Sequence, residues 1–510
     1  MFSKSYCAAL QGMCAHIVQI EADVSDGLPV FQLVGYLGSQ VKEARERVRI
    51  ALKNSGYKLP VKKITVNLSP ADIRKEGTSY DLSIAVAILS SIGIVESKEL
   101  HNILFIGELS LDGTIQSVNG VLPIVYEAQK QGFTSCILPK GNEQEGGMVE
   151  GIHVFGAESL RQVVKHLSGQ EILVEAKTSK WREKEFAKEP LLDFSDVVGQ
   201  EFVKRAIEIA VAGQHNLLIA GPPGSGKTML ARRIPGIMPD LTFGEAMEIS
   251  KIYSIAGLLN EERSFITTRP FRAPHHTITT HALVGGGIVP SPGEISLASG
   301  GVLFLDELAE YKRNAIESLR QPMEERSITL SRLHLNYSFP SSFMFVGATN
   351  LCPCGFYPNR NKCKCSRKQI ISYMSKISKA LLDRIDIYTE SAEIPYEKLK
   401  MYPRETSKDV QKRIERARVL QQNRYQGMDI QFNADLTPVM IKEHIILGTQ
   451  EVEFLKSIYD KMNLTARSYH RLLKVARTIA DLGGNERIEI SHLQEAVFYR
   501  GTENLAEWGE

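Results

Sequence analysis

The stretch Gly221-Pro222-Pro223-Gly224-Ser225-Gly226-Lys227-Thr228 has the residue types and spacing to hold a chain of phosphates. An apolar run, Asn216-Leu217-Leu218-Ile219-Ala220, precedes it, and a helical pattern starts at Met229. Strand, glycine-rich turn and helix in that order make a cradle. Glycines let successive backbone N–H groups turn inward around phosphate oxygens, and the helix N-terminus adds a favourable dipole. In such a loop the lysine, Lys227, reaches the β- and γ-phosphates, and the hydroxyl of Thr228 binds Mg²⁺. The segment predicts a nucleoside triphosphate, ATP with Mg²⁺, bound by Gly221 to Thr228.

Downstream residues supply the rest of a phosphoryl-transfer site. Val302-Leu303-Phe304-Leu305 is an apolar strand ending in Asp306-Glu307. After a phosphate loop, Asp306 suits Mg²⁺ and Glu307 suits polarising an attacking water. A third apolar strand, Phe343 to Ala348, delivers Thr349-Asn350, where Asn350 either positions water near the γ-phosphate or simply makes a turn. Arg384, in Leu381-Leu382-Asp383-Arg384-Ile385-Asp386, lies too far along the chain to belong to the phosphate loop. It suits a finger that reaches a neighbouring subunit's nucleotide, with an ion pair to Asp383 or Asp386 as the alternative. Arg467, Arg471 and Lys474 share one helical face. Of these, Arg467 is expected to fold over the nucleotide as a lid residue.

Four of the seven cysteines fall close together: Cys352, Cys354, Cys363 and Cys365. Four thiolates in a short loop are the donor set of a structural Zn²⁺ site, although C-x-C pairs are tighter than the usual C-x₂-C. Reduced free thiols are the other reading. Cys7, Cys14 and Cys136 are scattered and read as small buried hydrophobes.

The elements that must position these groups fall into blocks. Residues 1–170 alternate β-rich runs with helical patterns, for instance a strand at Ile64–Leu68 and a helix at Asp81–Ile92. A charged linker is expected over 171–190, the strands named above occupy 191–395, and 396–510 is rich in helical pattern. The long gaps from Lys227 to Asp306 and from Asp306 to Asn350 each have room for an inserted hairpin. In the second gap, Arg326 to Leu335 alternates as a strand should. Arg332 and His334 would then share a face, to grip DNA phosphates in a pore or to lie on a plain exposed hairpin.

Composition adds exclusions. The chain has 510 residues, 43% apolar and 24% charged, with a net charge of +2. That is an ordinary globular balance, so any nucleic-acid surface must be local. No apolar run is long enough to span a bilayer and Met1–Tyr6 lacks a signal-peptide layout, so no membrane partner and a cytoplasmic location are expected.

Taken in order, these elements resemble an AAA+ ATPase over 191–500. The strings Phe271-Arg272-Ala273-Pro274-His275-His276-Thr277, Leu283-Val284-Gly285-Gly286-Gly287 and Pro292-Gly293-Glu294-Ile295-Ser296-Leu297-Ala298 are similar to the magnesium-chelatase branch. With Asn350-Leu351-Cys352-Pro353-Cys354-Gly355 and Ala476-Arg477-Thr478-Ile479-Ala480-Asp481-Leu482, the chain resembles the YifB/ComM subfamily. That resemblance implies an α/β AAA+ P-loop core with a C-terminal helical lid and a hexameric ring with ATP sites between subunits. It also implies action on single-stranded or branched DNA, as translocation and branch migration during natural transformation. A chelatase-type motor and a remodeller of a protein client are the alternatives.

The first block is similar to the α+β Lon protease domain through Asn67–Asp72, Arg74–Leu82 and Gly107–Gly113. Ser79 occupies the nucleophile position, but Leu122 stands where the family has its lysine, and Tyr80 and Asp81 replace small residues. A serine without a base stays protonated and inert, so this block is expected to be non-proteolytic. Lys75 lies on the wrong side of the motif to substitute.

Overall fold

The computed structural model describes residues 1–177, 192–287, 289–332, 335–394, 396 and 405–500. Most of the expected charged linker, from 178 onward, lies outside the described residues.

The N-terminal unit is built on a seven-stranded sheet. Its order is Phe31–Val34, Lys63–Ser69, Cys14–Ser25, Phe2–Gln11, Ile103–Phe105, Ser135–Pro139 and His153–Ala157. Strand alternation sends neighbouring residues to opposite faces. Cys7, Phe105 and Ile137 join a core with the helices Ser39–Asn54 and Asp81–Ser91, whereas Ala8, Leu104, Cys136 and Leu138 join a second core on the other face. Ser39–Asn54 buries Val41, Ala44, Val48, Ala51 and Leu52, the one-stripe spacing of an amphipathic helix. Asp81–Ser91 is buried along its whole length, which suits its near-unbroken apolar sequence.

The second core is shared with the ATP-loop unit. Helix Val121–Lys130 lies between the N-terminal sheet and helix Phe243–Ile255, and Val121, Leu122 and Val125 cluster with Ala246, Met247, Ile249 and Ile252. Backbone polarity is satisfied across the seam. The Gly120 N–H donates to the Ser254 carbonyl at 3.0 Å, and the Leu122 N–H donates to Glu145 Oε1 at 3.0 Å. The Ser254 hydroxyl donates to the same Glu145 oxygen. Burial pushes the Glu145 carboxyl above its ordinary value, opposed by those donors. Lys251 places its ammonium 3.7 Å from the Tyr126 ring centroid.

The central unit is a five-stranded parallel sheet in the order Phe271–Arg272, Val302–Leu305, Met344–Thr349, Leu217–Ala220, Ile387–Glu390. Each of the strands Val302–Leu305 and Met344–Thr349 is buried throughout, as a sheet covered on both faces requires. Helices Ser407–Arg424, Ala466–Leu482 and Ile490–Phe498 pack with Glu201–Gly213 against one face of it. No helix among the described residues is long and apolar enough to cross a membrane.

Leu122 is fully buried in the seam between the two units. Leu122→Ala should lower stability by about 2–5 kcal/mol through lost apolar contact and a residual cavity. Chemical denaturation monitored by circular dichroism checks this, and an unfolding midpoint equal to wild type would contradict the packing role.

Candidate nucleotide site and its cysteine loop

Parallel strands all end at one edge, and that edge assembles the groups expected to act on phosphate. Leu217–Ala220 runs into the glycine loop, with Gly224 and Gly226 at φ of 74° and 88°, a region that side-chain-bearing residues rarely adopt. Helix Lys227–Ala231 starts directly after it. The loop is braced from outside. The Gln200 amide donates to the carbonyls of Ser225 at 3.0 Å and Ala392 at 2.6 Å, and the hydroxyls of Ser225 and Ser391 lie 2.7 Å apart.

Lys227 Nζ donates to the carbonyls of Gly221 and Pro222, at 2.8 and 2.9 Å, and to Asn350 Oδ1 at 3.1 Å. Burial holds its ammonium below the usual lysine range, opposed by the charges of Asp306 and Glu307. Asn350 reaches the loop because Met344–Thr349 sits between the loop strand and the acidic strand, with Ala220 opposite Thr349 and Leu305 opposite Gly347. The Thr228 hydroxyl donates to Asp306 Oδ2. A hydroxyl and a carboxylate in contact are hard oxygen donors of the kind Mg²⁺ takes alongside phosphate and water.

Glu307 adopts φ 52°, and its N–H donates to Asp306 Oδ1 at 2.9 Å. That turn presents a half-exposed carboxylate beside the loop. His276 Nδ1 lies 3.5 Å from Glu307 Oε2. Tyr311 donates to the Pro274 carbonyl and tethers this segment, its phenol pushed up by burial and by the charges of Asp306 and Glu307. Two adjacent histidines, His275 and His276, read in the sequence as structural or nucleotide-coupled rather than as a metal pair, and His276 stands here beside the acidic pair.

Arg384 and Arg467 do not join this group. The Arg384 carbonyl accepts from Asn216 Nδ2 at 3.0 Å, and Asn216 stands at the amino end of the loop strand. Four residues of extended chain, about 13 Å at 3.3 Å each, separate that end from the glycine loop. Arg384 is almost buried and donates to the carbonyls of Arg320 and Ala380, at 3.1 and 2.6 Å. Its Nη2 pairs with Glu324 Oε2 at 2.8 Å, so its carboxylate is Glu324 rather than Asp383 or Asp386. Arg467 stands at the same end, with Nη2 3.4 Å from Glu324 Oε1. The expectation that Arg467 folds over the nucleotide is therefore corrected: the first turn of its helix lies at the amino end of the sheet, beside Arg384. Arg471 and Lys474 point inward from the same helix and donate to the carbonyls of Ile385, at 3.2 Å, and Ala434, at 2.8 Å.

The four cysteines converge. Cys352, Cys354 and Cys363 have sulfurs 3.4–3.7 Å apart, and all four sulfurs lie within 4.8 Å of one another. Zn–S bonds of about 2.3 Å in a tetrahedron require S···S edges of roughly 3.8 Å, so the donor set fits Zn²⁺. A backbone N–H, that of Phe356, and the neighbouring thiols hold the Cys354 thiol down at about 6, while the Tyr357 N–H donates to Cys352 Sγ at 3.4 Å. The loop presses on the phosphate cradle. A Cβ added at Gly355 would lie 2.5 Å from Pro223 Cδ.

Both expected insertions are present as antiparallel pairs, Gly285–Gly286 with Ser291–Pro292, and Ser327–Arg332 with Leu335–Pro340. The second corrects the reading of one strand running from Arg326 to Leu335. The first strand stops at Arg332 and its partner begins at Leu335, so the chain has already reversed. His334 and the side chain of Arg332 lie outside the described residues.

Comparison with known proteins covers nearly the whole chain. Family models match at residues 193–399 (magnesium chelatase, subunit ChlI), 20–142 (subunit ChlI of Mg-chelatase) and 404–500 (magnesium chelatase, subunit ChlI C-terminal). The chain is 42% identical over 505 residues to the competence protein ComM of Haemophilus influenzae, covering 98% of this chain and 97% of that one. It is 41% identical over 502 residues to the uncharacterized protein YifB of Escherichia coli, covering 98% and 96%. A Lon protease of Finegoldia magna is 28% identical over 138 residues, 25% of this chain and 17% of that one.

Gly355→Ala should weaken nucleotide binding severalfold, because the added methyl meets Pro223 and the residue sits at φ 82°. Titration with a fluorescent ATP analogue checks this. An affinity equal to wild type would show that the cysteine loop does not brace the cradle.

Proposed function

The chain belongs to the magnesium-chelatase ChlI-type family of AAA+ ATPases, in its ComM/YifB branch, and from that membership we propose that it is an ATP-driven motor acting on DNA. The convergence of Lys227, Asp306, Glu307 and Asn350 on one strand edge carries the ATPase part of this reading. Lys227 meets the β- and γ-phosphates and neutralises charge that builds on transfer. Glu307 takes the proton of the attacking water, and Asn350 orients that water. Thr228 and Asp306 hold Mg²⁺, which when bound spreads the charge of the phosphate oxygens. Arg384 and Arg467 serve the nucleotide of an adjacent copy in a closed ring, a hexamer, since each stands at the far end of its own sheet from its own loop.

DNA as substrate is supported by full-length similarity to a protein named for competence. Residues 1–170 act as a docked, non-proteolytic unit. Lys75, the other lysine near Ser79, is fully buried and spends its ammonium on the Pro70 carbonyl. The family description itself favours one rival, a chelatase-type motor that drives metal insertion.

Steady-state ATP hydrolysis with single-stranded, duplex and branched DNA across a salt series tests the proposal. The expected result is several-fold stimulation that fades as salt rises, because phosphate contacts release counterions. Hydrolysis indifferent to every DNA would sink the DNA reading in favour of a metal-inserting or protein-remodelling client.

Zinc is assigned to Cys352, Cys354, Cys363 and Cys365 as a structural ion. Metal analysis of the purified chain should find about one zinc per chain, released when a mercurial titrates the thiols, and lost in Cys363→Ser. A zinc content near zero in protein prepared without chelator would leave the cluster as reduced thiols.

A further inference from the structure

The contact that joins Arg384 and Arg467 is unused by the reading above. One carboxylate, Glu324, reaches both. Its Oε2 lies 2.8 Å from Arg384 Nη2, and its Oε1 lies 3.4 Å from Arg467 Nη2. The two arginines come from separate parts of the fold. Arg384 precedes the edge strand Ile387–Glu390, and Arg467 opens helix Ala466–Leu482 of the C-terminal helices. Glu324 comes from a third part, helix Arg320–Glu325, which leads directly into the hairpin strand Ser327–Arg332.

The same short helix holds Arg384 a second way, through the Arg320 carbonyl. The next residue, Arg326, pairs with Asp435 among the C-terminal helices. The base of the hairpin is thus tied by ion pairs to Arg384 on one side and to the C-terminal helices on the other. Glu324, Arg326, Arg384 and Asp435 line a cleft of about 420 Å³ together with Arg471 and Lys474.

The chemistry of the contact is a competition. A guanidinium paired with a carboxylate must leave that partner, or share it, before it can neutralise charge on a phosphoryl group. Arg384 keeps its place without the pair, because two carbonyls also hold it. Among the described residues Arg467 makes no other ion pair, and its side chain is 54% exposed. Removing the carboxylate therefore frees both charges while leaving Arg384 aimed as before.

We propose that Glu324 is a restraining and positioning residue that keeps Arg384 and Arg467 paired until a neighbouring copy's phosphates compete for them. Its place at the hairpin base makes that release responsive to movement of the hairpin. This inference rests on the reading of Arg384 and Arg467 as groups that act on an adjacent copy's ATP.

The test is steady-state hydrolysis by the full-length chain carrying Glu324→Gln, Glu324→Asp or Arg384→Ala. Glu324→Gln keeps the size and loses the charge, and should raise kcat threefold or more with KM within twofold of wild type. Damage to packing would lower kcat instead, so a rise separates restraint from a structural role. Glu324→Asp keeps the charge and should stay within twofold of wild-type kcat. An unchanged or lower kcat in Glu324→Gln overturns the proposal, as does an equal rise in Glu324→Asp. Arg384→Ala tests the underlying reading separately. Its hydrolysis should fall at least tenfold and recover in part when mixed with Lys227→Ala subunits, and wild-type turnover would overturn the finger role itself.

Discussion

The arrangement rests on one constraint: five parallel strands cannot separate their carboxyl ends, so whatever follows each strand arrives at one edge. The glycine loop, Asp306-Glu307 and Asn350 follow three adjacent strands in the order that puts Asn350 between loop and acid. Asn216 fixes the other edge. Its side chain accepts from the Phe345 N–H and donates to the Arg384 carbonyl, and its own N–H donates to Asp386 Oδ2. Asn216 thereby ties the starts of the loop strand and of the strand that delivers Asn350 to the segment that enters the edge strand Ile387–Glu390. The sheet that gathers the lysine, the acids and Asn350 also keeps Arg384 and Arg467 at the opposite end.

Much of this was legible in the chain because it follows from local rules. An apolar run before a glycine loop, and an apolar run before two carboxylates, each name a strand and the group it delivers. Ile64–Leu68 and Asp81–Ile92 were found within a residue or so of their observed ends, Lys63–Ser69 and Asp81–Ser91, because burial on one face or all round leaves a plain pattern. The cysteine spacing identified a donor set, and the tight C-x-C pairs did not prevent the sulfurs from converging.

What was not legible depended on distant partners. Helical spacing showed that Arg467, Arg471 and Lys474 share a face, but the neighbour of that face is set by tertiary packing. Glu324 carries no motif, and only the return of the chain through Arg384 gives it a role. The antiparallel pairing of Ser327–Arg332 with Leu335–Pro340 was missed because the alternation in the sequence runs unbroken from Arg326 to Leu335. Asp481 shows the reverse case. It belongs to a string that signals the family, yet it sits buried among Arg424, Arg477 and Asn433, with donors at 2.5 to 3.1 Å, as a satisfied internal charge. A family signature there reflects folding of the helical unit rather than contact with a ligand.

Leu122 has a consequence for which side chains the N-terminal unit can hold at this position. Here the position has been absorbed into a seam filled by Ile249, Ile252 and Met247, with Glu145 and Ser254 holding its backbone. A lysine placed at 122 would carry its charge into packed hydrocarbon, so seating it would require the two units to part. Docking thus sets a desolvation cost against any charged residue here, and each apolar residue fitted into the seam raises it.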